Sequence, residues 1–461
     1  MSLSLGPEKG LDAAAIAERV EAVLALATLA EKVAMMSGRG FFESYRRTNG
    51  RWGAEPYRAG SGCERLGVPP LWFTDGPRGV ARGNSTCFPV SMARGASFDP
   101  DLERRVGEVM GIEARAQGCT LSGAVCVNLL RHPAWGRAQE TYGEDPYHVG
   151  VMGAALATGI QTHNVIATVK HFAVNSIENA RFKVDVRVDD RALREVWLPH
   201  FKRVLDAGCA SVMSAYNRMN GDWCGHSRAL LTEILRGEWG FEGFVHSDWV
   251  KGVHDPSGAA AGLDVENPEP LAFGDRLIAA VEAGEIAPEV IDTACRRILS
   301  VQYRFACAPD PLESYDEAQV ASPAHTALAR EAALKSAVLL TNDGVLPLGD
   351  APGRIAVAGR LADLENTGDF GSSRVRPPWV VTALAGLRAR FGEAAFVAGD
   401  EADPDAAARA AADAAAAVVV VGYTREDEGE YVPGDIELNE ENARKRGRPA
   451  LGGDRASLRL P

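Results

Sequence analysis

The chain has 461 residues, more than one compact core usually holds, so two domains are expected. Apolar residues make up 46% and charged residues 24%, an ordinary globular mix, and the net charge of −13 argues against a nucleic-acid backbone or an anionic membrane surface as partner. No run approaches the ~20 apolar residues of a membrane span, and Glu8, Lys9 and Asp12 precede any apolar stretch, so the sequence reads as cytoplasmic, without a signal peptide.

Residues 11–26 alternate apolar and charged positions at helical spacing, and Thr28-Leu29-Ala30-Glu31 has the pattern of a capping box opening a second helix that stops at Gly38. From there to about residue 308 short apolar runs alternate with amphipathic segments. Strands are predicted at 70–73, 123–128, 165–172, 210–216 and 241–247, and helices at 99–117, 144–162, 190–206, 227–238 and 271–283. This rhythm predicts an α/β fold, with a (β/α)8-type barrel over residues 1–308. Residues 309–323, with several prolines, read as a linker. A second unit over 324–461 opens with a helix at 324–340, continues to a strand at 355–358, and pairs an Ala-rich helix at 405–417 with an all-valine strand beginning at 418. Two strands and two helices are too little to cover a sheet, so this α/β sandwich reads as truncated. The eight cysteines include no Cys-x-x-Cys pair and read as buried free thiols; no metal site or cofactor is expected.

Five segments carry candidate chemistry, and each has a plainer alternative. Asp248 ends the apolar run 241–247 beside Trp249: a carboxylate at a strand's carboxyl end is where barrel enzymes place catalytic groups, but it is also a common helix N-cap. The tryptophan offers a flat apolar face on which a sugar ring can stack. Lys170-His171 ends the run 165–169, placing two donors at the same rim; for either residue alone a surface lysine or a core histidine is the plainer reading, and a Schiff-base lysine is the sharper alternative. In His132-Pro133-Ala134-Trp135-Gly136-Arg137, a guanidinium can fork onto vicinal hydroxyls or join surface ion pairs. Asp75, in Thr74-Asp75-Gly76-Pro77-Arg78, either starts a turn or accepts from sugar hydroxyls. Arg425-Glu426-Asp427-Glu428-Gly429-Glu430 crowds four carboxylates, which usually means a solvated loop but can raise the pKa of one of them.

Together these motifs resemble glycoside hydrolase family 3, the β-glucosidase group. The resemblance runs in order through Asp75-Gly76-Pro77-Arg78, Trp135-Gly136-Arg137 with Gly143-Glu144-Asp145-Pro146, Lys170-His171-Phe172 with Glu178 and Arg181, and Met213-Ser214-Ala215-Tyr216-Asn217. It continues through Ser247-Asp248-Trp249 and Gly371-Ser372-Ser373 to Asp454-Arg455. It implies a retaining exo-acting β-glycosidase, most simply a β-glucosidase, with its site at the seam of two domains. Asp248 would be the nucleophile, kept ionised by Lys170, His171 and arginines. Glu428 would be the acid/base, with Glu426 and Glu430 as rivals. Asp75, Arg137, Lys170, His171, Arg181 and Tyr216 would hold the terminal sugar, with Trp249 packed against it. The implied partner is a carbohydrate or glucoside, and a homo-oligomer is left open. An aspartate at position 75 suits a hexose better than a pentose. The remaining readings are a β-xylosidase, an inactive truncated fragment, and a barrel aldolase using Lys170.

Overall fold

In the computed structural model, residues 4–310, 315–400, 402–432 and 451–460 are described; part of the expected linker, 311–314, lies outside them. Seven strands form one curled sheet in chain order: β1 (Gly38–Arg39), β2 (Tyr57–Cys63), β3 (Val68–Thr74), β4 (Leu121–Cys126), β5 (Ile166–Phe172), β6 (Ser211–Ser214) and β7 (Phe244–His246). From β3 to β7 every pairing is parallel. β2 is antiparallel to both of its neighbours. Two isolated bridges, Ser37 with Glu266 and His246 with Val265, link the ends of the sheet.

The expectation of eight parallel β/α units is thus met only from β3 onward. The antiparallel β2 escaped the sequence reading because Gly60, Ser61 and Gly62 interrupt any apolar alternation, and all three take positive φ. The parallel strands were legible because they are buried on both faces: every residue of β4 and β5 is buried, which favours apolar residues on both faces until the polar Lys170 and His171 near the end of β5.

Helices Pro100–Ala116 and Pro146–Gln161 start on Asp99 and Asp145, whose side chains accept from the backbone N–H groups of Leu102 and His148. The capping box at Thr28 and Glu31 forms as the sequence requires. The helix expected at 190–206 is broken by Pro199 into Asp190–Ala192, a π-helical stretch Leu193–Trp197 and the helix Pro199–Asp206.

The second unit has its own small core of Ile355, Val357, Ala362, Leu384 and Ala395. Its parallel sheet has β8 (Ile355–Ala358) in the centre, flanked by β9 (Ala395–Gly399) and β10 (Ala416–Val419). The Ala-rich helix is shorter than expected, Pro404–Ala411, and β10 begins before the valine run. High helix propensity does not fix where a helix stops. β11 (Gly429–Val432) pairs antiparallel with β12 (Leu451–Gly453), and Val432 packs into the core around the seven-stranded sheet.

Candidate active site

β7 delivers Asp248 to the rim just past its last residue. The side chain is buried. Its Oδ1 accepts from the N–H of Trp249 at 2.8 Å, while Oδ2 has no hydrogen-bond partner among the described residues. His171 Nε2 stands 3.7 Å from that free oxygen. Burial pushes the Asp248 carboxyl up to about 6, although Arg181, Arg137 and Lys170 all pull it down. The expectation of a low pKa is therefore corrected: three neighbouring cations do not offset the removal of this carboxyl from water.

The sugar-site candidates of the first unit lie around it. Lys170 Nζ donates to Asp75 Oδ1 at 2.6 Å, and that oxygen also accepts from the N–H of Gly76 at 2.8 Å. Burial alone would lower the Lys170 ammonium pKa, but the carboxylates around it, Asp75 foremost and then Glu140, together raise it. Asn128 clasps His171 from both sides: its Oδ1 accepts the His171 N–H at 2.8 Å and its Nδ2 donates to the His171 carbonyl at 2.9 Å. Burial, with Arg137, Lys170 and Arg181 nearby, drives the His171 pKa far down, so the ring is neutral. Arg137 makes a two-pronged pair with Glu140 at 2.8 Å on each oxygen and sits 3.2 Å from His171 Nε2.

Arg181 lies 4.8 Å from the centre of the Tyr216 ring, whose hydroxyl donates to the Trp249 carbonyl at 2.8 Å. Trp249 is set deeper than a surface platform. It is 6% exposed and packs against Phe41, Trp52, Tyr57 and Phe73 with ring centres 5.0–5.4 Å apart.

The second unit contributes the three candidate glutamates, and their surroundings separate them. Glu426 is 73% exposed and pairs with Arg425. Glu430 is buried: it takes Arg181 at 3.0 Å, the N–H of Ser372 at 2.6 Å, and has Arg137 at 3.7 Å. Burial works to raise the Glu430 pKa, but the two guanidiniums and the Ser372 N–H hold it well below the usual carboxylate range. Glu428 is half-buried and ion-paired with Arg455. Burial pushes its pKa up to about 7 against the pull of Arg455, helped by the negative charges of Asp369 and Asp427.

Several residues that close the seam were given no role in the sequence reading, although Arg78, Trp135 and Glu178 lie in its motifs. Arg78 Nη2 donates to the Asp369 carbonyl at 2.9 Å, and Asp369 Oδ2 accepts the N–H of Glu430 at 2.8 Å. Glu178 accepts from Trp135 Nε1 at 3.2 Å and from the N–H of Tyr431 at 3.1 Å. Trp52 Nε1 donates to the Ser372 carbonyl at 2.8 Å. Glu178 and Arg181 are three residues apart, a spacing that announces a contact; nothing in the sequence near Asp369 announces its partner almost 300 residues away.

Residues 36–301 match the family model described as the glycosyl hydrolase family 3 N terminal domain, and residues 337–461 match that family's C-terminal domain. A β-glucosidase from Rhizobium radiobacter is 37% identical over 388 residues, covering 81% of this chain and 45% of that one. A thermostable β-glucosidase B from Acetivibrio thermocellus is 36% identical over 78% of this chain and 47% of its own. Among solved structures, β-glucosidase 3B from Thermotoga neapolitana in complex with glycerol superposes with a TM-score of 0.74 at 31% identity, over 85% of this chain and 56% of that one. The chain spans about half the length of the curated relatives it matches. With the matched motifs in order and the two domain models side by side, the chain belongs to glycosyl hydrolase family 3.

Proposed function

We propose that this chain carries the catalytic seam of a retaining, exo-acting β-glucosidase. The observation that carries the reading is the contrast between two carboxyls. Asp248 is buried with one oxygen unengaged beside three cationic side chains, and Glu428, from the other unit, has its pKa raised to about 7. A retaining mechanism needs one carboxylate to attack the anomeric carbon and one carboxylic acid to protonate the leaving oxygen. Asp248 attacks C1 as the C1–O bond breaks and the Glu428 proton passes to the departing oxygen. Glu428, now a carboxylate, takes a proton from water as that water's oxygen bonds to C1 and Asp248 is released.

Lys170 is bonded to Asp75, Arg137 to His171 and Arg181 to Glu430 before a sugar arrives, so these groups are already held in place to engage its hydroxyls. Tyr216 and Trp249 supply the apolar wall. The names of the relatives favour glucose, and an acceptor at Asp75 suits a hexose hydroxyl. The aldolase reading loses support: a Schiff-base lysine must be readily deprotonated, whereas Asp75 holds Lys170 protonated.

Azide tests the assignment. Glu428→Ala should hydrolyse an aryl β-glucoside slowly and be rescued by azide with formation of the β-glucosyl azide, while Asp248→Gly with azide should yield the α-product. Rescue of Glu426→Ala or Glu430→Ala in place of Glu428→Ala would move the acid/base to that residue. A β-azide from the Asp248 variant would remove it as nucleophile.

A further inference from the structure

Asp454 and Arg455 are matched by sequence yet have no part in the chemistry above, and their contacts are unusually dense. Asp454 Oδ1 accepts the N–H groups of Gly136 and Glu178, each at 3.0 Å, and its Oδ2 accepts the N–H of Asn179 at 3.1 Å. Asn179 Oδ1 returns a bond to the N–H of Asp454 at 2.9 Å. These bonds clamp the loop before Arg137 and the loop before Arg181. Arg455 continues the clamp: its N–H donates to the Ala134 carbonyl at 2.8 Å, and its guanidinium reaches both the Pro133 carbonyl and Glu428. The guanidinium also rests over the Tyr423 ring, 3.8 Å from its centre, so its plane is fixed from below.

We propose that Arg455 is a positioning residue for the general acid: anchored to the barrel loop at Pro133 and Ala134, it sets Glu428 at the rim and serves as counter-ion to the carboxylate that proton donation leaves behind. This rests on the reading of Glu428 as acid/base.

A group that must both give and take a proton works best with a pKa near the working pH. At Glu428 three influences raise the pKa, namely burial, Asp369 and Asp427, and the last of these is itself paired with Arg360. Arg455 is the cation that opposes them. It is held by main-chain groups and an aromatic face, so its position does not depend on Glu428. A free surface lysine would follow the carboxylate; this guanidinium directs it.

The test compares leaving groups. Cleaving 2,4-dinitrophenyl β-glucoside needs little acid assistance, whereas 4-methoxyphenyl β-glucoside needs a great deal. General-acid assistance is worth roughly 10²–10⁴ in rate, so Arg455→Met should lower kcat/KM for the methoxyphenyl substrate about tenfold to a hundredfold more than for the dinitrophenyl one. The alkaline limb of the kcat/KM profile should move to higher pH, because the carboxylate has lost its counter-ion. Arg455→Lys, which keeps the charge but not the fork, should retain the alkaline limb and show a smaller selective loss; it carries the test alone should the Met variant fail to fold. Equal losses on both substrates with an unmoved alkaline limb would show Arg455 to be merely structural and overturn the proposal. Glu428→Ala, assayed beside them, separates the two failures. If that variant is itself indifferent to leaving group, the acid/base reading falls, and this inference with it.

Discussion

Glu430 offers the sharpest test of how the two units are joined. Its carboxylate is 4% exposed, accepts Arg181 at 3.0 Å and the Ser372 N–H at 2.6 Å, and faces Arg137 at 3.7 Å. Replacing it by glutamine keeps the shape and removes the charge. Breaking a buried ion pair by removing one partner costs roughly 3–5 kcal/mol, because the other partner is left buried and uncompensated. Here Arg181 retains Glu178 at 3.2 Å and Arg137 retains Glu140, so the lower end, about 3 kcal/mol, is expected. Urea unfolding followed by tryptophan fluorescence reads it, since Trp52, whose Nε1 donates to the Ser372 carbonyl, lies on the same seam.

The pH dependence has a definite sign. The folded pKa of Glu430 lies below its ordinary value of 4.5, so its contribution is fully present above about pH 4.5 and is lost as the pH falls toward the depressed value. Parent and Glu430→Gln should therefore converge in stability on acidification. A loss under 0.5 kcal/mol at neutral pH, or a difference that grows below pH 4, would refute the reasoning.

Three further outcomes follow from the same geometry. The proposed mechanism requires Asp248 ionised and Glu428 protonated, so kcat/KM for an aryl β-glucoside should fall below about pH 6 and above about pH 7, giving a narrow bell; a plateau down to pH 4 would mean that Asp248 is not raised. Gly136→Ala should weaken the seam, because a Cβ there would press on the carbonyl oxygens of Gly429 and Gly453; a loss of about 1–3 kcal/mol in unfolding and a marked fall in kcat are expected, and an unchanged enzyme would contradict the close approach. Asp75→Ala removes the partner of a buried ammonium and the proposed acceptor for the sugar, so both stability and discrimination between aryl β-glucoside and β-xyloside should fall; unchanged discrimination would take Asp75 out of hexose recognition.

Legibility in the sequence followed burial. β4, β5 and β7 are inaccessible along their whole length, so their composition is forced and their positions could be read. β2 is held by pairing to neighbours on both sides and carries glycines at positive φ, so its strand character lies in the sheet and not in its residues. The helix at Pro323–Ser336 was placed correctly but read four residues too long: the apolar run Val338, Leu339 and Leu340 resembles a continuing helix, yet in the structure these side chains are 60–91% exposed. The error has one cause: composition reports what a segment is able to bury, and burial depends on what reaches it.

The same limit governs the site. Asp248, Lys170 and His171 were visible because each lies at the end of a buried strand, and three polar groups at one rim outweigh the plain explanation that each has alone. Glu428 was put ahead of Glu426 and Glu430 by family resemblance alone, since within Glu426-Asp427-Glu428-Gly429-Glu430 every carboxylate has the same local company. What separates them comes from far along the chain: Arg137 and Arg181 take Glu430 as an ionised strut, Arg455 meets Glu428, and Glu426 is left to solvent. A strut with a depressed pKa is a poor proton donor at neutral pH. Only Glu428 combines burial, like charges and a single opposing cation. Exchanging those surroundings should exchange the roles: in Arg137→Met/Arg181→Met the Glu430 pKa should climb toward that of Glu428, and carbon-13 NMR titration of labelled glutamate reads it. A Glu430 resonance still titrating far below 4 in that variant would mean that the backbone N–H of Ser372, and not the guanidiniums, keeps it ionised.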